Sequence, residues 1–103
     1  SFVKTLESRV TKTILEDGDI LFQQGQRCTE AYLLMFGVVD ILRDGQLVVT
    51  IEVKEMKDAI IFGEFNVLGI WKAPKATVIG RSTCLLEVIT QDALRQCLEL
   101  YPE

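Results

Sequence analysis

An all-β sandwich or barrel is the fold class this sequence predicts, on three observations. From Thr11 onward, short apolar runs rich in Ile, Val, Leu and Phe are cut by turn-forming clusters at roughly eight- to twelve-residue intervals, most of them at a Gly. Asp44-Gly45 stands between Val38-Val39-Asp40-Ile41-Leu42 and Leu47-Val48-Val49-Thr50-Ile51, and Asp-Gly supplies the positive φ angles of a type I′ hairpin turn. No helical period alternates with these runs, as a βαβ architecture would require.

Taken in order, Val3, Leu6 and Val10 share a face at helical spacing and predict a short N-terminal helix over Phe2–Arg9. Thr13-Ile14-Leu15 is a strand closed by Glu16-Asp17-Gly18-Asp19, and Ile20-Leu21-Phe22 is one closed by Gln23-Gln24-Gly25-Gln26. The run from Ala31 to Phe36 stops at Gly37, and Val38 to Leu42 stops at Arg43-Asp44-Gly45. Gln46 to Val53 returns antiparallel, Lys54 to Asp58 is a polar loop, and Ala59 to Phe62 is a further strand. A short helical stretch over Glu64 to Leu68 follows, then an irregular loop through Gly69 to Pro74. Lys75 to Ile79 and Leu85 to Ile89 are the last strands, joined around Gly80-Arg81-Ser82-Thr83. Thr90 is an N-cap with Asp92 in the first turn, and Leu94, Cys97, Leu98 and Tyr101 form the apolar stripe of a helix that Pro102 ends.

Composition narrows the function. At 103 residues the chain holds one domain with a modest core. Its formal charge is −4, with basic residues scattered, so it lacks the footprint of a nucleic-acid binder. No apolar run is long enough to span a bilayer. Cys28, Cys84 and Cys97 have no metal-like spacing and suit a reducing compartment. There is no His, which excludes Ser-His-Asp and Cys-His catalysis, His-based metal sites and the metal-holding enzymes of cupin-like barrels.

The chemistry concentrates in Phe62-Gly63-Glu64 and, twelve residues on, Ala76-Thr77-Val78. A Gly lets backbone approach a ligand, and the helix start that follows presents unpaired N–H groups suited to a phosphate. A carboxylate there accepts hydrogen bonds from sugar hydroxyls but repels phosphate, so the two must be held apart. The combination indicates a sugar-phosphate site. Glu64 is also favourable at a helix N-terminus with no ligand at all. Thr77 suits a strand as well as a phosphate, and Lys72 and Lys75 suit solvent. Trp71 suits a base, a partner or the end of the barrel.

The turn pattern and these motifs together resemble the cyclic nucleotide-binding domain family, from about Thr11 to Glu103. The likeness is carried by Asp17-Gly18-Asp19-Ile20, Gln24-Gly25, Ala31-Tyr32-Leu33-Leu34 leading to Gly37-Val38-Val39, Phe62-Gly63-Glu64, and Ala76-Thr77-Val78. Cys84-Leu85-Leu86-Glu87-Val88-Ile89 and Leu98-Glu99-Leu100-Tyr101-Pro102-Glu103 look most like the versions in cation channels. The resemblance implies an eight-stranded antiparallel jelly-roll barrel with a short phosphate-cassette helix and flanking terminal helices: an N-terminal helix at 1–10, the roll at 11–89, and a C-terminal helix at 90–103 with the lid helix truncated.

The resemblance further implies binding of cAMP or cGMP, with no cofactor, metal or catalysis. It assigns the ligand to Phe62, Gly63, Glu64, Phe65 and Asn66 of the cassette and to Lys75, Ala76 and Thr77. The family's phosphate-pairing Arg is replaced. Aligned back from Ala76, that position holds Pro74, followed by Lys75, and Pro offers no donor while Lys lacks the guanidinium fork. Weak binding, or none, is the expectation. The implied setting is a regulatory domain on the cytoplasmic side of a membrane, joined to a homo-oligomeric channel or transporter and not itself inserted. A ligand-insensitive homology domain serving as an interaction module, and the regulatory part of a soluble cyclic nucleotide-dependent protein, are the alternatives.

Overall fold

The computed structural model describes residues 11–100, with the side chains of all of these but Cys97, Leu98 and Leu100. The helix expected over Phe2–Arg9 lies outside the described residues, as do Tyr101, Pro102 and the side chains of Cys97 and Leu98 in the expected stripe. The strands are β1 (Thr11–Leu15), β2 (Ile20–Phe22), β3 (Ala31–Arg43), β4 (Gln46–Val53), β5 (Ile60–Phe62), β6 (Thr77–Gly80) and β7 (Cys84–Ile89). Two α-helices, α1 (Glu64–Val67) and α2 (Gln91–Leu100), and a 3₁₀ turn at Met56–Asp58 complete the described chain.

Every strand pairing among the described residues is antiparallel; β3 takes part in four of them, while β1 pairs with β7 and β2 with β6. The path runs β1-β7-β3-β6-β2, with β4 and β5 each added to β3. One strand has only two edges, so β3 meets four partners by changing sheets. Ala31–Phe36 pair with β5 and β7, and Gly37–Arg43 pair with β4 and β6. The change falls at Gly37 (φ 123°), just after an irregularity between Leu34 and Phe36. A Cβ at Gly37 would lie 2.6 Å from Cys84 Sγ and 2.8 Å from Cys84 Cα, so β7 can cross closely only over a Gly. The sequence divides β3 at Gly37 into two strands. The structure keeps it continuous but uses its halves separately, giving seven strands among the described residues where eight are expected.

The Asp44-Gly45 hairpin forms as expected. Arg43 pairs with Gln46, and the intervening Asp44 (φ 53°) and Gly45 (φ 79°) take the positive angles of a type I′ turn. β6 starts at Thr77 rather than Lys75. β3 pairs with it only as far as Leu42, one residue before the hairpin closes, which leaves Lys75 and Ala76 outside the ladder.

The core of the roll is Leu15, Leu34, Val39, Val53, Val78, Cys84 and Leu86, extended by half-buried Phe22, Tyr32, Ile41, Ile51, Ile60 and Phe62. A second cluster of Ala31, Val67 and Ile89, with Leu94 against it, docks both helices on one end of the roll. Thr90 caps α2 as expected: its Oγ1 accepts from the Ala93 N–H at 3.0 Å. No helix of the described residues is long and apolar enough to cross a membrane.

Candidate functional site

The site begins where β5 runs into α1. Gly63 caps this one-turn helix in the left-handed region (φ 81°, ψ 21°), and its carbonyl accepts from the N–H groups of Asn66 (3.0 Å) and Val67 (3.1 Å). A Cβ on Gly63 would stand 2.9 Å from the Glu30 carbonyl oxygen. The Gly is therefore required twice over, by its φ and by the loop it rests on. Val67 then sinks into the Ala31–Ile89 cluster and anchors the turn.

Beside α1 lies a cavity of about 150 Å³. Its apolar surface comes from Phe22 of β2, Ile41 of β3, Phe62 of β5 and Val78 of β6. Gly63 and Asn66 form the cassette side, and Trp71, Pro74, Lys75 and Ala76 form the loop side. Arg43, last residue of β3, completes the lining. Ile41 and Arg43 reach it together because alternate residues of a strand share a face. The charged residues of this lining are Arg43 and Lys75, and no carboxylate is among them. In a chain of net charge −4, this is a locally cationic pocket.

Asn66 is 2% exposed, and its Oδ1 has no hydrogen-bond partner. A buried polar atom without a partner costs about 1–3 kcal/mol, so native folds keep few of them. This one belongs to a residue lining the cavity, where a bound donor could satisfy it.

The expected ligand residues separate into two sets. Phe62, Gly63, Asn66, Lys75 and Ala76 line the cavity. Glu64, Phe65 and Thr77 do not. Glu64 is half-buried in the first turn of α1. Phe65 packs on Trp71, with ring centroids 4.8 Å apart. The Thr77 hydroxyl accepts the Gln24 N–H at 3.0 Å. Lys75 extends its Nζ over the Trp71 ring, 5.4 Å from the centroid, a cation–π arrangement. Pro74, at the position of the expected Arg, is buried, and its carbonyl accepts from the Gly25 N–H at 3.1 Å. A larger hollow of about 440 Å³ is bounded by Gln24, Gly25 and the same Ile70–Lys75 loop.

Two participants escape the sequence reading, Arg43 and Gln24. Arg43 reads as part of a turn, and Gln24 as a polar loop residue. The Gln24 amide makes two bonds to the hairpin tip: Nε2 donates to Asp44 Oδ1 (2.9 Å), and Oε1 accepts from the Asp44 N–H (2.8 Å). Nothing in local sequence foretells this pairing across twenty residues. Elsewhere, Tyr32 donates its hydroxyl to Glu30 Oε1 at 2.9 Å; burial, and then the Glu30 carboxylate, push its pKa well above the ordinary phenol value. Among the described residues no group of acids, Cys or His is placed to hold a metal ion.

Comparison with known proteins agrees with this architecture. No curated protein sequence matches the chain significantly. Among solved structures, the C-linker/CNBHD of zELK channels, crystallized in the presence of cAMP, superposes with a TM-score of 0.80 at 20% identity. The alignment covers 98% of this chain and 50% of that one, so the present chain spans half the length of that structure. A cyclic nucleotide-binding-like protein from Brucella abortus gives 0.80 at 18% identity, over 95% of this chain and 83% of its own. The Thermus thermophilus catabolite activator protein gives 0.78 at 20%, over 98% and 47%. At such identities the likeness establishes the fold. The family model of the cyclic nucleotide-binding domain matches residues 12–101, nearly the whole chain. With the antiparallel roll, the one-turn cassette helix and the cationic cavity beside it, this match means that the chain belongs to the cyclic nucleotide-binding domain family.

Proposed function

We propose that the chain is a non-catalytic regulatory module that binds cAMP or cGMP in the cavity beside α1, as the cytosolic domain of a membrane channel or transporter. The observation that carries the reading is the cavity itself. Two cations, no acid and one buried unpartnered amide oxygen border a space reached by the backbone of Gly63. A cyclic phosphate brings the anion, and ribose brings a hydroxyl donor for Asn66. Val67 of α1 and Leu94 of α2 meet in one apolar cluster, so a ligand that favours one placement of α1 biases α2 by its differential affinity. The channel setting rests on the likeness to the zELK domain, which is one of fold.

Titration calorimetry with cAMP and cGMP tests the binding, with amide shift mapping at Gly63, Asn66 and Ala76. Saturable heat with shifts confined to these positions is expected. Absence of both at millimolar nucleotide would sink the reading. Lys75 over Trp71 and the buried Pro74 favour the second reading, a ligand-insensitive homology module, which predicts that null result. The setting is tested by the gene: several apolar segments of about 20 residues upstream are expected of a channel or transporter.

A further inference from the structure

We propose that Arg43 is the phosphate partner of this pocket, delivered from the β3–β4 hairpin in place of a cassette Arg, and that Gln24 is its positioning residue. The inference rests on the proposed function and names the cation that function needs. Pro74 cannot donate, and the Nζ of Lys75 is already placed over Trp71. Arg43 lines the cavity and forms no ion pair with any described residue. A guanidinium presents five donors in a planar fork that fits two phosphate oxygens at once, which an ammonium cannot do.

Position is the second requirement, since a hairpin tip is ordinarily free to sway. Here it is fastened. The Gln24 side chain holds Asp44, next to Arg43, by two hydrogen bonds, and one of them occupies a carboxylate oxygen that could otherwise compete for the guanidinium. The Gln24 backbone is tied in turn to the start of β6 and the loop before it. Its N–H donates to Thr77 Oγ1, and the next N–H, of Gly25, donates to the Pro74 carbonyl. Gln24 and Gly25 thus link the hairpin that carries Arg43 to the loop that bounds the cavity. The buried Asn66 Oδ1 is an independent sign that the cavity is completed by a ligand with a donor as well as an anion.

The test is paired titration of the chain with cAMP and with adenosine, which shares the base and ribose but lacks the phosphate. Arg43→Gln should weaken cAMP about tenfold, as expected for a lost charge-assisted hydrogen bond, and leave adenosine unchanged. Arg43→Lys should recover part of the loss. Gln24→Ala should lower the ratio of cAMP to adenosine affinity in the same direction, an effect that general loosening of the fold would not produce. Thermal melts confirm that each variant is folded. Wild-type cAMP affinity in Arg43→Gln, or equal losses for cAMP and adenosine, overturns the assignment and leaves the proposed function standing. A wild-type chain with no saturable cAMP binding overturns both.

Discussion

The two ends of the second half of β3 treat their polar groups in opposite ways. At the sheet crossover, where Gly37 meets Cys84, each is paired. Val38 N–H donates to Ser82 Oγ, the Val38 carbonyl accepts from the Arg81 N–H and the Cys84 thiol, and Asp40 is held by Thr50 and Arg81, both at 2.6 Å. At the far end, Arg43 has no ionic partner among the described residues, Asn66 Oδ1 has none, and Lys75 rests on an aromatic face. The crossover is complete within the chain. At the cavity end one buried acceptor, Asn66 Oδ1, is left unpaired, and an atom in that state costs stability.

The contrast can be broken first at the crossover. Gly37→Val forces a side chain into Cys84 at a φ that only Gly accepts, and should cost more than about 3 kcal/mol, read as a collapse of the melting temperature or failure to fold. Gly63→Ala, at the cavity end, meets the Glu30 carbonyl and should cost about 1–3 kcal/mol by chemical denaturation, with loss of nucleotide binding beyond what the stability change explains. Asn66→Leu sharpens the comparison because its effects have opposite signs. Removing an orphaned buried acceptor should raise stability by about 1 kcal/mol while binding weakens. A drop in stability would show that Asn66 serves the fold. Thr90→Ala should cost about 1 kcal/mol through the lost cap of α2.

The smallest effect is on pH. The hydrogen bond from Thr50, followed by the bond and charge of Arg81, holds the Asp40 carboxyl below its ordinary value of 3.8. Its contribution is fully present above that value and is withdrawn as pH falls through the lower, folded-state value. Denaturation midpoints should therefore fall below about pH 4 in the wild type and less so in Asp40→Asn. Solvent on the Arg81 side of the pair, whose side chain is 44% exposed, keeps the effect small.

What the sequence made legible was local. The Asp44-Gly45 turn, the limits of β4, the cassette after Gly63 and the Thr90 cap each follow from a few adjacent residues whose preferences agree. The unread features depend on residues far apart in the chain. Gly37 resembles a terminator until β7 is seen to pass over it. Lys75 and Ala76 resemble strand until β3 is seen to leave for its hairpin. Arg43 resembles a turn flank until the roll closes and sets it in the lining of the cavity with Ala76. The Pro in the place of an Arg was plain from the start, but a replacement from another strand could be found only in three dimensions.

The shared cluster of Val67, Ala31, Ile89 and Leu94 has a mechanical consequence. The root of α2 is seated, through Leu94, on the same apolar plug as the cassette, and α2 extends about 9 Å beyond that residue at the usual helical rise. A tilt of about 10° at that root would sweep the far end through about 1.6 Å, so a change in how α1 is seated would leave the roll as lever-arm travel.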